Sequence, residues 1–335
     1  MKRSDRPDSG NCGPVLRIAV PAPLQGAFDY LPPEGCEIGA VRPGMRIRIP
    51  FGRTHRVGIL LEIATQTDVE PTRLKRATEI LDSEPSMPAS ILALAQWASR
   101  YYHHPVGEAL VTALPVLLRQ GRHGRTAATP WHWQLTDQGK AVEAHRVERQ
   151  APRQAQILEQ LRSCSHGLPA ADLTTTGHTA APVLRAMLAK GWVERIPGPC
   201  LDPPGASTPQ TPPGLNPAQS QAVTAVVDGL GGFGAFLLEG VTGSGKTEVY
   251  LRIIAAVLER GGQALVLVPE IGLTPQLVAR FTRRFALPLA VLHSGLSDGA
   301  RLCAWEAARS GEARIVIGTR SAVFTPLHNP GVFIV

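Results

Sequence analysis

The spacing of apolar residues along the chain changes character several times. Over residues 15–20, 28–31, 45–49 and 57–63 short apolar runs are separated by Pro and Gly. Runs of this length between turn formers predict strands, so the N-terminal stretch reads as a small β domain. Between 90 and 118 the period becomes helical. Ile91, Leu92, Leu94, Ala95, Trp97 and Ala98 form one stripe, Tyr101 to Pro105 interrupts it, and a second helix is predicted over 106–118. A polar, basic linker is expected over 119–129. Three further short helices are predicted over 154–162, 169–173 and 180–190, the last ending at Gly191 before a strand at 192–196, which is a winged-helix pattern. Residues 197–214 hold seven prolines and no apolar period, as a stiff linker does. Beyond them strands are predicted at 235–238, 264–268, 289–292, 314–317 and 332–335 with helices between, the signature of a parallel, doubly wound sheet. The expected organisation is therefore multidomain α/β: a β domain with C-terminal helices over 13–118, a winged-helix domain over 119–196, a linker over 197–214 and an α/β lobe over 215–335.

One motif sits where that lobe should bind a ligand. Gly240-Val241-Thr242-Gly243-Ser244-Gly245-Lys246-Thr247 fits G-x-x-x-x-G-K-[ST] and falls between the first predicted strand of the lobe and a helix. Glycines let successive backbone N–H groups wrap phosphates without side-chain clash. Lys246 neutralises the β- and γ-phosphates, Thr247 offers its hydroxyl to Mg²⁺, and the helix N-terminus adds a favourable dipole. ATP and Mg²⁺ are the expected cofactors, with Lys246 and Thr247 as the catalytic candidates. Upstream, the amide of Gln219 suits an adenine edge. Downstream, three polar loops follow predicted strands: 268–276, His293-Ser294-Gly295 and 318–322. In a parallel sheet they share the carboxyl edge, where Gly272, Thr274, Gln276, Thr319 and Arg320 can meet the backbone of a bound strand.

Charge points the same way. Lys and Arg number 34 against 27 Asp and Glu, a net charge of +7 that favours a polyanionic partner. In the β domain Arg42, Arg46, Arg48, Arg53, His55 and Arg56 alternate closely enough to predict one positive face. The third helix of the winged-helix pattern carries only Arg185 and Lys190, too few for direct base readout, so a non-specific contact or a packing role is expected. Five cysteines contain no C-x-x-C pair, and a zinc site is not suggested. The polar N-terminus and the lack of a long apolar run lead to the expectation of no signal peptide, no membrane span and a cytoplasmic location.

Taken together, residues 20–24, 28–35, 41–52, 101–107, the phosphate loop, 267–276 and 317–326 resemble the bacterial replication-restart helicases, a family of superfamily-two DNA helicases. The resemblance implies a RecA-like lobe and an N-terminal β domain that captures the 3′ end of a nascent strand at a stalled fork. It assigns Phe28, Asp29, Tyr30, Gly52 and Lys75 to that pocket. The chemistry is sound: an aromatic ring can stack on the end base, Asp29 can accept from a 3′-hydroxyl, and Lys75 can neutralise a phosphate. It further implies ATP-dependent 3′-to-5′ unwinding, recognition of arrested forks and primosome assembly. The implied partners are branched and single-stranded DNA, primosome proteins, a replicative helicase loader and single-stranded DNA-binding protein. In that family the strand matching 332–335 leads into an Asp-Glu-Glu-His box, a second lobe with an arginine finger and a cysteine-rich zinc module. The expectation is that these 335 residues alone bind ATP weakly and do not hydrolyse it, since an arginine finger is worth ~10³–10⁵ in turnover; zinc is expected only in the further part. A rival reading is a non-enzymatic fork-binding adaptor built on the β domain and the winged helix. A small P-loop kinase is a third, and the N-terminal half counts against it.

Overall fold

A computed structural model of the chain describes residues 13–122, 131–164, 167–170, 172, 173, 175, 180–198, 200, 201 and 212–335. The described residues before 128 and after 203 form one compact unit, and those between form a second.

The N-terminal part of the first unit is a six-stranded sheet in the order β5-β2-β1-β4-β3-β6. Its strands are β1 (Val15–Ala19), β2 (Phe28–Leu31), β3 (Arg46–Phe51), β4 (Thr54–Ala64), β5 (Lys75–Arg76) and β6 (Glu79–Ile80). Strands β1, β2, β3 and β4 pair antiparallel, and Leu16, Ile18, Ile47, Ile49 and Leu60 close over a core with essentially no exposure. The β3–β4 hairpin turns through Gly52-Arg53, with Gly52 at φ +61°. Behind the sheet stand α1 (Ala89–Tyr101), α2 (Val106–Thr112) and α3 (Val116–Arg119). The single helix expected over 106–118 is thus two. Pro115 has no N–H to continue the ladder and starts a new turn instead. Gly107 lets α2 seat on the end of β1, because a Cβ there would stand 1.7 Å from the Val20 carbonyl oxygen. The linker expected from residue 119 begins later, since Arg119 closes α3, Gly121 is buried and the Arg122 carbonyl accepts from Arg46; residues 123–130 lie outside the described ones.

The expected positive face of the β domain is only partly present. Arg46 is 2% exposed and Arg48 bonds Glu79 at 3.2 Å, so two of the six basic groups are consumed internally. Arg46 donates through Nη2 to Asp82 at 2.6 Å and through Nη1 to the carbonyls of Leu118 and Arg122 at 2.8 and 2.9 Å. Period-2 spacing identified the face but not the carboxylate waiting on it.

The second unit holds a three-stranded antiparallel sheet, β8 (Leu168–Pro169), β7 (Trp131–Leu135) and β9 (Val193–Pro197), in that order. It also holds α4 (Asp137–Ala141), α5 (Ala144–Glu148), α6 (Pro152–Arg162) and α7 (Ala181–Ala189). Trp133, Leu135, Ile157, Leu158, Leu184, Met187 and Val193 fill its core. The helix expected over 169–173 is corrected. Gly167 turns the chain at φ +68°, and Leu168 and Pro169 pair with Trp133 and His132 as an edge strand, where proline is tolerated. On α7 the basic groups divide: Lys190 bonds Gln154 at 2.9 Å and lies over Trp192, whereas Arg185 is exposed.

Within the first unit, residues 215–335 contain α8 (Pro217–Asp228), α9 (Lys246–Glu259), β10 (Gln263–Leu267), α10 (Pro275–Phe285), β11 (Leu289–Leu292), α11 (Asp298–Ser310), β12 (Ile315–Gly318) and β13 (Pro330–Ile334). The four strands form a wholly parallel sheet in the order β11-β12-β10-β13. The strand expected at 235–238 is corrected: it joins no sheet, and Phe236 and Leu237 are 54% and 93% exposed. An apolar run becomes a strand only where a neighbour satisfies its backbone groups, and composition alone does not provide one. The 197–214 linker falls largely outside the described residues. No helix among the described residues is long and apolar enough to cross a membrane.

Candidate functional site

The first site is a cavity of about 680 Å³ at one end of the β domain. It is lined by Arg17, Phe28, Asp29, Tyr30, Pro50, Phe51, Gly52, Asp68, Arg73 and Lys75, among others. All five β-domain residues singled out from the sequence, Phe28, Asp29, Tyr30, Gly52 and Lys75, therefore meet in one place. Strand order explains how: β2 lies between β1 and β5, which sets Tyr30 beside Lys75, and the β3–β4 hairpin carries Phe51 and Gly52 to the same rim. Phe28 and Phe51 stand edge to face with centroids 5.5 Å apart, and Arg56 lies 5.1 Å over the Phe51 ring. Tyr30 is 5% exposed and donates its hydroxyl to the Pro50 carbonyl at 3.1 Å. Burial raises its pKa.

Asp29 sits deeper than an isolated acceptor would. Its carboxylate accepts from Arg17 Nε at 3.0 Å and from the Thr67 hydroxyl at 2.7 Å. Arg17 also pairs with Glu62, and the hydrogen bond to Asp29 raises its pKa. Sequence reasoning missed Arg17, Thr67, Asp68 and Arg73. For Arg17 a signal existed, because it lies directly across β1–β2 from Asp29, but the register was not visible in one dimension.

The second site is the phosphate loop. Gly243 and Gly245 adopt φ +81° and +83°, and Gly245 caps the N-terminus of α9. Only glycine takes that turn without strain, and a Cβ on Gly245 would also fall 2.5 Å from Gln219 Nε2. Lys246 donates to the Gly240 carbonyl and, at 3.1 Å, to that of Val241, so its ammonium lies over the mouth of the loop. Thr242 and Ser244 lie on the exposed arc, and Thr247 follows Lys246 on the first turn of α9. Gln219 caps α8 with Asn216 through its Oε1 and donates Nε2 to the Ser244 carbonyl at 3.0 Å. That leaves the amide one N–H and one lone pair. The left-handed glycines and the free first turn of α9 fit a polyphosphate. One residue beyond Thr247, Glu248 is buried and accepts from Arg252 and Arg284 at 3.1 and 3.0 Å, which ties α9 to α10.

The third site is the carboxyl edge of the parallel sheet. Leu267 and Leu292 both sit beside Gly318, so the loops that follow β10, β11 and β12 leave from one edge. Ser294 bonds Glu270 across two of them. Thr274 accepts from Leu277 N at 3.2 Å as the N-cap of α10, with Gly272 in the preceding 3₁₀ turn and Gln276 exposed on the first helical turn. Thr319 and Arg320 open the turn after β12, with Arg320 exposed. A groove of about 660 Å³ lined by Thr274, Val278, Thr282, Arg283, Val291 and His293 lies between α10 and β11.

Known proteins match along the same divisions. Residues 17–115 match the family described as 3'DNA-binding domain (3'BD), and residues 216–334 match the DEAD/DEAH box helicase family. The replication restart protein PriA of Haemophilus influenzae is 37% identical over 96% of this chain and 43% of its own length. The protein of the same name from Bacillus subtilis is 30% identical over 92% of this chain and 46% of its own, and that of Synechocystis is 46% identical over 54% and 22%. The chain thus spans less than half the length of these curated relatives. Over the length it shares with them, the chain belongs to the family of replication restart protein PriA.

Proposed function

We propose that this chain is the fork-recognising and ATP-binding part of an ATP-dependent 3′-to-5′ DNA helicase that engages arrested replication forks and initiates primosome assembly. The observation that carries the reading is the convergence of Phe28, Asp29, Tyr30, Gly52 and Lys75, from three separate segments, on one cavity. Phe28 and Phe51 supply an apolar wall for a terminal base, and Lys75 and Arg73 a positive rim for its phosphate. The working division is 13–118 for 3′-end capture, 119–196 for a winged helix that contacts DNA without base readout, and 215–335 for the RecA-like lobe.

In that lobe Lys246 and Thr247 hold the triphosphate and its Mg²⁺, and Gln219 offers its remaining N–H and lone pair to the adenine edge. ATP, when bound, supplies the phosphoryl-transfer energy that drives translocation. Gly272, Thr274, Gln276, Thr319 and Arg320 line the track for single-stranded DNA. Primosome proteins, a replicative helicase loader and single-stranded DNA-binding protein are the proposed protein partners.

The test is fluorescence anisotropy with a labelled oligonucleotide whose 3′ end is free, against the same sequence closed into a circle. The linear strand should bind at least about tenfold more tightly, the worth of one or two charge-assisted bonds and a stacked base. F28A should reduce that advantage by a similar factor. Equal affinity for circle and line rejects end capture.

A further inference from the structure

Glu248 stands where the phosphate loop becomes a helix, and it is held there from two directions. Its backbone N–H donates to the Gly245 carbonyl at 2.9 Å, which closes the left-handed glycine turn that presents Lys246 and Thr247. Its carboxylate is buried, and a single oxygen, Oε1, accepts from Arg252 Nε at 3.1 Å and from Arg284 Nη2 at 3.0 Å. Arg252 lies one turn further along the same helix and fixes Glu248 only relative to α9. Arg284 comes from the last turn of α10, and its bond to Glu248 is the one ion pair between α9 and α10 among the described residues.

The opposite end of α10 is the proposed strand track. Thr274 caps its N-terminus, Gly272 lies in the turn before it, and Gln276 is exposed on its first helical turn. At helical rise its eleven residues set the two ends about 16 Å apart. Between them α10 is fastened to α9 by packing, with Phe281 buried in one cluster with Leu251 and Ile254. Beyond Arg284 the helix stops at Ala286, which takes φ +48° and donates its N–H to the Thr282 carbonyl at 2.9 Å. Alanine adopts the left-handed region only where its surroundings hold it, so the end of α10 that carries Arg284 is fixed rather than frayed.

We propose, resting on the nucleotide and strand sites assigned above, that Arg284 is a positioning residue for the phosphate loop. Through Glu248 it sets the Gly245 turn, and with it Lys246, according to whether a strand lies on the loop that opens α10. A buried carboxylate tolerates separation from a charged partner poorly, so Glu248 follows Arg284 when α10 shifts. The Gly245 turn follows Glu248 in its turn, because the backbone bond that closes it is made by the same residue. Arg252 keeps Glu248 paired if Arg284 is lost, so the phosphate loop stays formed but no longer answers to α10.

The experiment titrates N-methylanthraniloyl-ATP with Mg²⁺ into the full 335-residue chain, alone and saturated with circular oligo(dT), which offers no end to the β-domain pocket. In the wild type the circle should tighten nucleotide binding about fivefold or more, the low end of coupling between linked sites. By reciprocity the nucleotide should tighten the circle, read by anisotropy, by the same factor. R284Q should leave each ligand, measured alone, within about threefold of wild type and reduce the coupling factor to about twofold or less. R284K keeps the charge and should restore most of it. A wild type in which a bound circle leaves nucleotide affinity unchanged overturns the proposal, as does an R284Q variant with the wild-type factor. An R284Q variant that weakens the nucleotide equally with and without the circle shows a merely structural role and also overturns it. A wild type that binds no nucleotide, or no circle, defeats the assignment of the sites themselves, which separates the two failures.

Discussion

Arg46 offers a quantitative test of how the β domain is held, apart from what it binds. Its side chain is 2% exposed and that of its partner Asp82 is 8% exposed. Removing the guanidinium in R46M strands the carboxylate and the carbonyls of Leu118 and Arg122. Breaking a buried pair by deleting one partner costs roughly 3–5 kcal/mol. Asp82 would keep two donors, the Arg46 backbone N–H at 2.8 Å, which the substitution preserves, and the Ser86 hydroxyl at 2.8 Å, so the lower end applies. A loss of about 3 kcal/mol corresponds to roughly a hundredfold rise in the local opening equilibrium, and so to a hundredfold fall in protection. Hydrogen-exchange mass spectrometry of peptides covering β3 and β6 reads this directly, through the amides of Thr78 and Leu81 that bond the carbonyls of Arg48 and Arg46. R46M/D82L, which removes both charges, should recover most of the protection, because a well-packed apolar pair can replace a buried ion pair. Binding of a free 3′ end should stay within about threefold in both variants, since Arg46 begins β3 and the cavity lies at its other end, roughly 17 Å away at strand rise. Protection that falls by less than tenfold in R46M, or an end affinity that falls in step with it, refutes the assignment of Arg46 to stability alone.

K246A should abolish binding of a fluorescent ATP analogue while leaving the 3′-end affinity intact; a parallel loss of both would show that the two sites are not independent. G245A places a non-glycine residue at φ +83° and a Cβ against Gln219, and a strain of about 1–3 kcal/mol should weaken nucleotide binding by about fivefold or more in the same titration. Tyr30, whose pKa burial raises, stabilises the fold fully below the ordinary tyrosine value of about 10 and loses that contribution as pH rises through the higher folded value. Thermal melts of the wild type should therefore fall above about pH 10 more steeply than those of Y30F, and identical alkaline slopes would contradict the burial argument. E248A should leave Arg284, 10% exposed, without its carboxylate, and weaken nucleotide binding more than E248Q, whose amide oxygen can still accept from both arginines.

What was legible in the sequence depended on whether a residue's meaning is local. The phosphate loop could be read because its requirements are met within eight consecutive residues and the helix they open. The strands of the β domain were readable for the same reason, and Ile47, Ile49 and Leu60 lie in the core where their periodicity put them. The helix expected through Pro115 failed for a local reason that could have been applied. The remaining failures are of another kind. The run at 235–238 has every strand property except a partner, and partners are not a property of a run. Arg46 and Arg17 both look like surface cations in one dimension. Each is decided by a carboxylate reached only after the sheet forms, Asp82 across 36 residues and Asp29 across 12. The Asp29 case has the larger functional consequence. The family resemblance assigns it as an acceptor for a 3′-hydroxyl, and the structure adds that most of its accepting capacity is already engaged by Arg17 and Thr67. A motif carries over the identity of a residue, but the hydrogen-bonding capacity it has left for a ligand is set by its neighbours. In the end-capture reading, what Asp29 can offer a ligand is therefore set by Arg17 and Thr67 as much as by its own place in the Phe28-Asp29-Tyr30 segment.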